Sequence, residues 1–491
     1  MGRFPKISYV VKFHILLNFF VVIFITGASY YHMPFQGFKD ASIYILHFIS
    51  LQITVAGFLY FLSLNKWIFK IFFSILFIIF CGFSFWAYSQ DISVTEHLIH
   101  SVIETKPDIA YDLITLPYLG YLFLSFLALF FLLKRYKKID PLQGIKWLIL
   151  PAILCVSLFF ILENKRPGNL INRLPYNLVF GLNAYTIKSN FKLDNQIPSL
   201  FFQKDAIKVV FVLGESVRAD HLGINGYSRN TTPQLALEEN LMSFPNLYTK
   251  HTYTGASVPQ ILTNQALEDT MSSYLSIYSV ANKGGFNTTW IGNQTLEKSF
   301  TPVVNTNKNI VLIDKYKSVF SFNKERDESL LQPFDSVLKI EPRSLTTLHM
   351  IGSHWWYENR YTDKERTYTP VIDSKYIPSL TNEQLINSYD NTILYLDNFL
   401  NSILEKLKNE SKPSVLVYVS DHGEQLGEDN KWLHAQAGDA AKNPAYLIWY
   451  SNSYKEKYPE TIQYFQRIKN DPLSTDVLFY HLLDIMGIKT D

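Results

Sequence analysis

The chain has 491 residues, 48% hydrophobic and 15% aromatic, with a formal net charge of +2. That length exceeds one ordinary domain. The near-neutral balance, with no basic tract resembling a nucleic-acid footprint, excludes a nucleic-acid binder.

Five apolar stretches open the chain, at 13–31, 41–63, 67–88, 113–133 and 145–162. Each approaches the roughly 20 apolar residues that cross a hydrocarbon core. Lys70 lies near a span end, where its long stem lets the ammonium reach water. No small-residue cleavage site follows the first stretch, so it is expected to stay as a helix. Arg3, Lys6 and Lys12 precede the first span, and Lys134, Arg135, Lys137 and Lys138 follow the fourth. Basic flanks stay on the cytoplasmic side, so an odd number of crossings places everything after about residue 165 outside. The mixed segment 92–112 reads either as an amphipathic helix lying in the outer interface or as a plain connecting loop. The two cysteines, Cys81 and Cys155, sit inside apolar stretches and build no disulfide framework.

Polar residues with Pro167, Pro175 and Pro198 follow. The expected division is therefore a five-span domain (1–163), a linker (164–200) and a soluble domain (201–491). In the last, strand-like runs at Ile207–Leu213, Thr288–Ile291, Ile310–Ile313, Ser344–Met350, Ser414–Ser420 and Ala445–Tyr450 alternate with helical patterns. The clearest helix is 382–408, where Leu385, Tyr389, Ile393, Leu396, Leu400, Ile403 and Leu407 recur every three or four residues. Such alternation predicts an α/β fold with a largely parallel sheet covered on both faces.

Ligands bind beyond the carboxyl ends of strands in such sheets. Three of the runs end in reactive residues: Gly214-Glu215-Ser216, Gly352-Ser353-His354, and Asp421-His422-Gly423-Glu424. Glu215, Asp421 and His422 suit zinc or manganese, with room for one more oxygen ligand. A Ser or Thr hydroxyl placed there would be activated as a nucleophile. For the Asp-His pair alone a helix-cap role is the lesser alternative.

The runs VVFVLGESVRADHLGINGYSRNTTPQL (209–235), TYTGASVPQIL (252–262), LHMIGSH (348–354) and VLVYVSDHGEQLGE (415–428) resemble the bacterial phosphoethanolamine transferases. That family modifies lipid A and lipopolysaccharide, confers polymyxin resistance, and has a catalytic domain of the alkaline phosphatase/sulfatase superfamily. The resemblance implies an inner-membrane enzyme with five spans and a periplasmic sulfatase-like α/β sandwich. It implies Thr254, five residues before Pro259, as the nucleophile that becomes phosphorylated. It implies Glu215, Thr254, Asp421 and His422 as ligands of one or two zinc ions, with manganese an alternative. His354 and His434 match the histidines that hold phosphate or a second metal. His349, Asn293 and Lys298 match substrate-side positions, and Thr105 an outer-loop one.

The implied reaction moves phosphoethanolamine from phosphatidylethanolamine to a lipopolysaccharide or other glycan acceptor. The rivals are a phosphoglycerol transferase, a hydrolase, and a non-catalytic phospholipid-binding sensor. Three departures bear on the acceptor: no cysteine follows Cys155, Trp355-Trp356 replaces the family's Gly-Pro, and outer-loop matches stop at Thr105 and Asp108. They lean toward core sugars rather than lipid A phosphate.

Overall fold

A computed structural model describes residues 4–31, 37–90, 99, 116–166, 168–186, 192–202, 205–268, 273–313, 324–374, 380–428, 431–433 and 438–490. Of these, the residues up to Thr186 form one compact unit and those from Lys192 a second.

In the first unit, five helical stretches are long and apolar enough to cross a membrane: Tyr9–Thr26, Gly37–Leu64, Ile68–Ser89, Leu116–Tyr136 and Ile145–Lys165. Each coincides with one expected span. They overlap helices α1 (Phe4–Val21), α2 (Gly37–Leu64), α3 (Ser74–Gln90), α4 (Leu116–Tyr136) and α5 (Ile145–Lys165). Leu17, Leu51, Phe77 and Leu132 are enclosed, whereas Ile15, Phe19, Phe126 and Phe130 face outward. Apolar outer faces suit lipid, because lipid gives no driving force to hide them. Helices α2 and α5 meet closely at Gly57, where a Cβ would stand 2.8 Å from Cys155 Cβ. Any side chain there would push the two helices apart. Both cysteines are free thiols.

The interfacial segment 92–112 lies outside the described residues except for Ile99, which is buried. Part of the expected linker belongs to the first unit instead. Leu170, Leu174, Tyr176 and Leu178 are buried in its core, and α6 (Tyr176–Thr186) closes the segment.

The second unit is built on a seven-stranded sheet. Its strands are β1 (Lys208–Gly214), β2 (Leu241–Ser243), β3 (Asn287–Gly292), β4 (Asn309–Leu312), β5 (Ser344–His349), β6 (Ser414–Ser420) and β7 (Tyr446–Tyr450). The order is β2-β7-β6-β1-β5-β3-β4. From β6 to β4 all neighbours are parallel, while β7 runs antiparallel to β6 and β2 antiparallel to β7.

Every residue of β1 and β6 is buried. This is why both strands read as unbroken apolar runs rather than as an alternation. Their side chains nonetheless divide by parity. Val209, Phe211 and Leu213 join one core with Val258, Ile277, Val280 and Leu482. Val210 and Val212 join the opposite core with Phe334, Leu385, Ile393 and Leu400. Fully enclosing one such side chain stabilises the fold by about 1.5–3 kcal/mol, and a one-residue slip would exchange the two sets.

The 27-residue helix Asn382–Lys408 starts with a reciprocal cap, Thr381 accepting from Gln384 N while the Gln384 side chain accepts from Thr381 N. All seven of its predicted core positions are buried. One pairing was not foreseen: Leu200–Phe202 runs antiparallel to Ile488–Thr490, joining the start of this unit to its end.

Candidate active site

The central strands deliver the site. β1 ends at Gly214 and the next residue is Glu215. β6, its parallel neighbour, ends at Ser420 and leads into Asp421 and His422. The pairing of Gly214 with Ser420 fixes these acidic tips side by side. A short helix, α7 (Thr254–Ile261), brings Thr254 as its first residue.

Glu215, Asp421 and His422 are completely buried, and Thr254 is 7% exposed. One ligand atom from each of Glu215, Asp421 and His422 lies within 4.8 Å of the others. His422 Nε2 stands 3.2 Å from Glu215 Oε1 and 3.4 Å from Asp421 Oδ2. The Thr254 hydroxyl donates to Glu215 Oε2 at 2.9 Å.

Each group is oriented from behind. Asp421 Oδ1 accepts from the backbone of His422 (2.8 Å) and Ser216 (3.3 Å), which turns Oδ2 toward the imidazole. His422 Nδ1 faces Gly423 O at 2.8 Å, so the geometry assigns a proton to Nδ1 and turns Nε2 toward the carboxylates, where it would face a metal once deprotonated. Ser216 takes a left-handed conformation, φ 60°, uncommon for a non-glycine residue, and its hydroxyl donates to Glu215 Oε1 at 3.0 Å.

Concentrated buried charge shifts the ionisation of the cluster. Burial, and then the charge of Glu215, push Asp421 well above the usual carboxylate range. Burial works against a charged His422, but the Asp421 and Glu215 carboxylates outweigh it and raise the imidazole. Two carboxylates and an imidazole buried together could hold a divalent cation, which would compensate charge that protons otherwise neutralise.

The other predicted site residues differ in their surroundings. His354 is buried on the loop after β5, its Nδ1 2.5 Å from Trp355 O. His349 is enclosed between the rings of Trp290 and Phe300, and burial depresses it to about 4. Asn293 braces neighbouring structure, donating to Glu325 O and Asp327 Oδ1. Lys298 Nζ is enclosed without a hydrogen-bond partner among the described residues. His434 and Thr105 lie outside the described residues.

Sequence reasoning missed Gln294, whose amide bridges Met350 O (2.6 Å) and Glu215 Oε2 (3.2 Å). Its signal was available, since it lies just past the end of β3 at the same sheet edge. Glu424 was also unassigned. It is fully buried and accepts from Tyr357 OH at 3.0 Å. Arg218 pairs with Asp220, and His221 is structural, bound to Asp390.

The sulfatase family profile matches residues 208–488, and that of the phosphoethanolamine transferases EptA/EptB matches residues 53–163. The chain is 31% identical over 294 residues to phosphoethanolamine transferase EptA of Escherichia coli K12, covering 57% of this chain and 53% of that one. It thus spans about half the length of the curated relatives it matches. The soluble domain of lipooligosaccharide phosphoethanolamine transferase A from Neisseria meningitidis is 31% identical, with a TM-score of 0.54 over 61% of this chain and 94% of that one. The integral membrane form of the Neisseria meningitidis protein shares the fold over 97% of this chain and 96% of that one, at 23% identity and a TM-score of 0.55.

Proposed function

The chain belongs to the phosphoethanolamine transferase family of the alkaline phosphatase/sulfatase superfamily, and on that premise we propose that it moves phosphoethanolamine from phosphatidylethanolamine to a lipopolysaccharide acceptor, core sugar or lipid A. One observation carries the reading: the Thr254 hydroxyl sits 2.9 Å from Glu215, beside a closed cluster of metal-competent donors.

The donor set fits zinc. It offers two carboxylates and one imidazole, a mixture zinc accepts, and Asp421 Oδ2 is buried without a hydrogen-bond partner among the described residues. Glu215, Asp421, His422 and the Thr254 oxygen would hold the first ion, and a second would draw on His354 and His434; manganese suits the same donors. Bound zinc supplies positive charge that stabilises the threonine oxygen and the phosphoryl oxygens.

The chain's own groups do the rest. Glu215 Oε2 already holds the Thr254 hydroxyl hydrogen and aligns the oxygen for attack. Thr254 Oγ bonds to phosphorus as the bond to diacylglycerol breaks, and diacylglycerol leaves as an alcohol after gaining a proton. The acceptor oxygen then attacks phosphorus, the Thr254–phosphorus bond breaks, and Thr254 recovers its proton. A general acid or base near His354 or His434 would move these protons.

Incubating the full chain with defined lipids tests the donor, and mass analysis of lipopolysaccharide with and without the gene tests the acceptor. A gain of one phosphoethanolamine on lipopolysaccharide is expected. Use of phosphatidylglycerol alone, or release of free phosphoethanolamine without an acceptor, would overturn the proposal.

The proposed setting is the inner membrane, with the catalytic unit in the periplasm, because Lys134 and Arg135 close α4 and Lys137 and Lys138 follow it. Fusions placed after residue 200 are expected to show alkaline phosphatase activity; fluorescence of a cytoplasm-only reporter there would contradict this sidedness.

Zinc affinity should rise with pH. Asp421 and His422 are both shifted upward in the metal-free chain, so protons occupy the site near neutrality and must leave on binding. Each displaced proton makes binding about tenfold tighter per pH unit. Chelator competition at pH 6, 7 and 8 measures this slope, and a flat or inverted one would refute the ligand set.

A further inference from the structure

The loop that follows β5 touches the site through its backbone. Ser353 N donates to Glu215 O at 2.9 Å. Gly352, at φ +52°, lies so close that a Cβ would stand 2.7 Å from Glu215 O and 2.8 Å from Glu215 N. His354 is the next residue but one. The position of this loop therefore sets the position of Glu215.

Two buried charges hold the loop, one at each end. Asp327, 1% exposed, accepts from Ile351 N (2.8 Å) with Oδ1 and from Gly352 N (2.9 Å) with Oδ2. Asn293 adds a third donor at 2.9 Å. Arg360, 3% exposed, donates through Nε to His354 O (2.9 Å) and through its second amino group to Trp355 O (3.3 Å). The carboxylate thus takes the N–H groups where the loop begins, and the guanidinium takes the carbonyls where it ends. Burial opposes both charges, shifting Asp327 upward and Arg360 downward, and each partly offsets this by favouring the ionised form of the other. Opposite charges buried this deeply add little net stability over apolar packing. What the pair supplies is the geometry it imposes on the loop.

We propose that Asp327 and Arg360 are positioning residues, which clamp the two ends of loop 350–355 and thereby fix Glu215 and His354 for metal binding and phosphoryl transfer. The proposal rests on the reading of Glu215 as a metal ligand. Groups that orient ligands from behind typically govern about 10–100-fold in metal affinity or activity.

The test uses the full-length protein in detergent as wild type, Asp327→Asn and Arg360→Lys. Zinc dissociation constants are measured by chelator competition, the rate of Thr254 adduct formation by mass spectrometry, and folding by circular dichroism. Asp327→Asn nearly preserves shape but removes the charge and turns an amide toward one of the loop N–H groups. It is expected to fold yet bind zinc about 10–100-fold more weakly. Arg360→Lys keeps the buried charge but loses the fork onto the two carbonyls, so adduct formation should slow with little change in zinc affinity. A folded Asp327→Asn protein with wild-type affinity and rate overturns the clamp, even if it melts at a lower temperature. Should that variant fail to fold, an unchanged rate in Arg360→Lys overturns it. Zinc-loaded wild type with no effect in either variant sinks the clamp alone; a wild type that takes up no zinc sinks the metal reading and the clamp together.

Discussion

Replacing Thr254 by alanine should abolish transfer and leave the fold and zinc uptake nearly intact. Thr254 is the hydroxyl bonded to Glu215, and it begins a helix whose core contacts come from Val258 and Ile261 farther along. The substitution removes the attacking oxygen while Glu215, Asp421 and His422 remain to hold metal. Loss of a covalent nucleophile lowers turnover by roughly a thousandfold or more. Thr254→Ser keeps the hydroxyl and should retain part of the rate. Mass spectrometry of wild type incubated with phosphatidylethanolamine should locate phosphoethanolamine on the peptide holding Thr254. Ser257 is the informative competitor, because it lies one turn along the same helix with its buried hydroxyl unpartnered among the described residues. An adduct on Ser257 or Ser216 would move the nucleophile, and full activity in Thr254→Ala would end the mechanism.

Asp421→Asn should empty the metal site without damaging the fold. The amide oxygen can still accept from Ser216 N and His422 N, so the turn after β6 keeps its bonds. What disappears is one negative charge among buried groups. In the metal-free chain that charge is unfavourable, since burial and Glu215 both resist it. The metal-free variant should therefore melt no lower than metal-free wild type. Zinc, which stabilises only the state that binds it, should raise the melting temperature of wild type and not of the variant. Elemental analysis showing wild-type zinc content in Asp421→Asn would remove Asp421 from the ligand set.

The fold was legible where burial is one-sided in its demands. β1 and β6, enclosed on both faces, announce themselves as apolar runs, and the helix Asn382–Lys408 shows its core stripe at helical spacing. The edge strand Leu241–Ser243 and the pair Leu200–Phe202 with Ile488–Thr490 were not legible. Runs of three residues carry too little periodicity, and only their distant partners make them strands. The site divides in the same way. Glu215, Asp421 and His422 could be read because they cap strand ends, where sheets of this kind place their chemistry. Thr254 needed the family resemblance, since nothing in local spacing ties it to a residue 39 positions earlier. Gln294, Asp327 and Arg360 stayed hidden because their partners are mostly backbone atoms of remote loops. Ordinary polar residues acquire such roles only when the chain is closed.

Both thiols of this chain, Cys81 and Cys155, lie in the first unit and are free, and the second unit has no cysteine at all. The second unit therefore matures without oxidative cross-linking of its own side chains. Its two hydrophobic cores and buried polar contacts must supply all the rigidity that disulfides supply elsewhere. Its folding is thus uncoupled from the oxidising capacity of whichever compartment holds it. A unit built this way is expected to keep its shape under thiol reductants and in cells whose disulfide-forming machinery has failed.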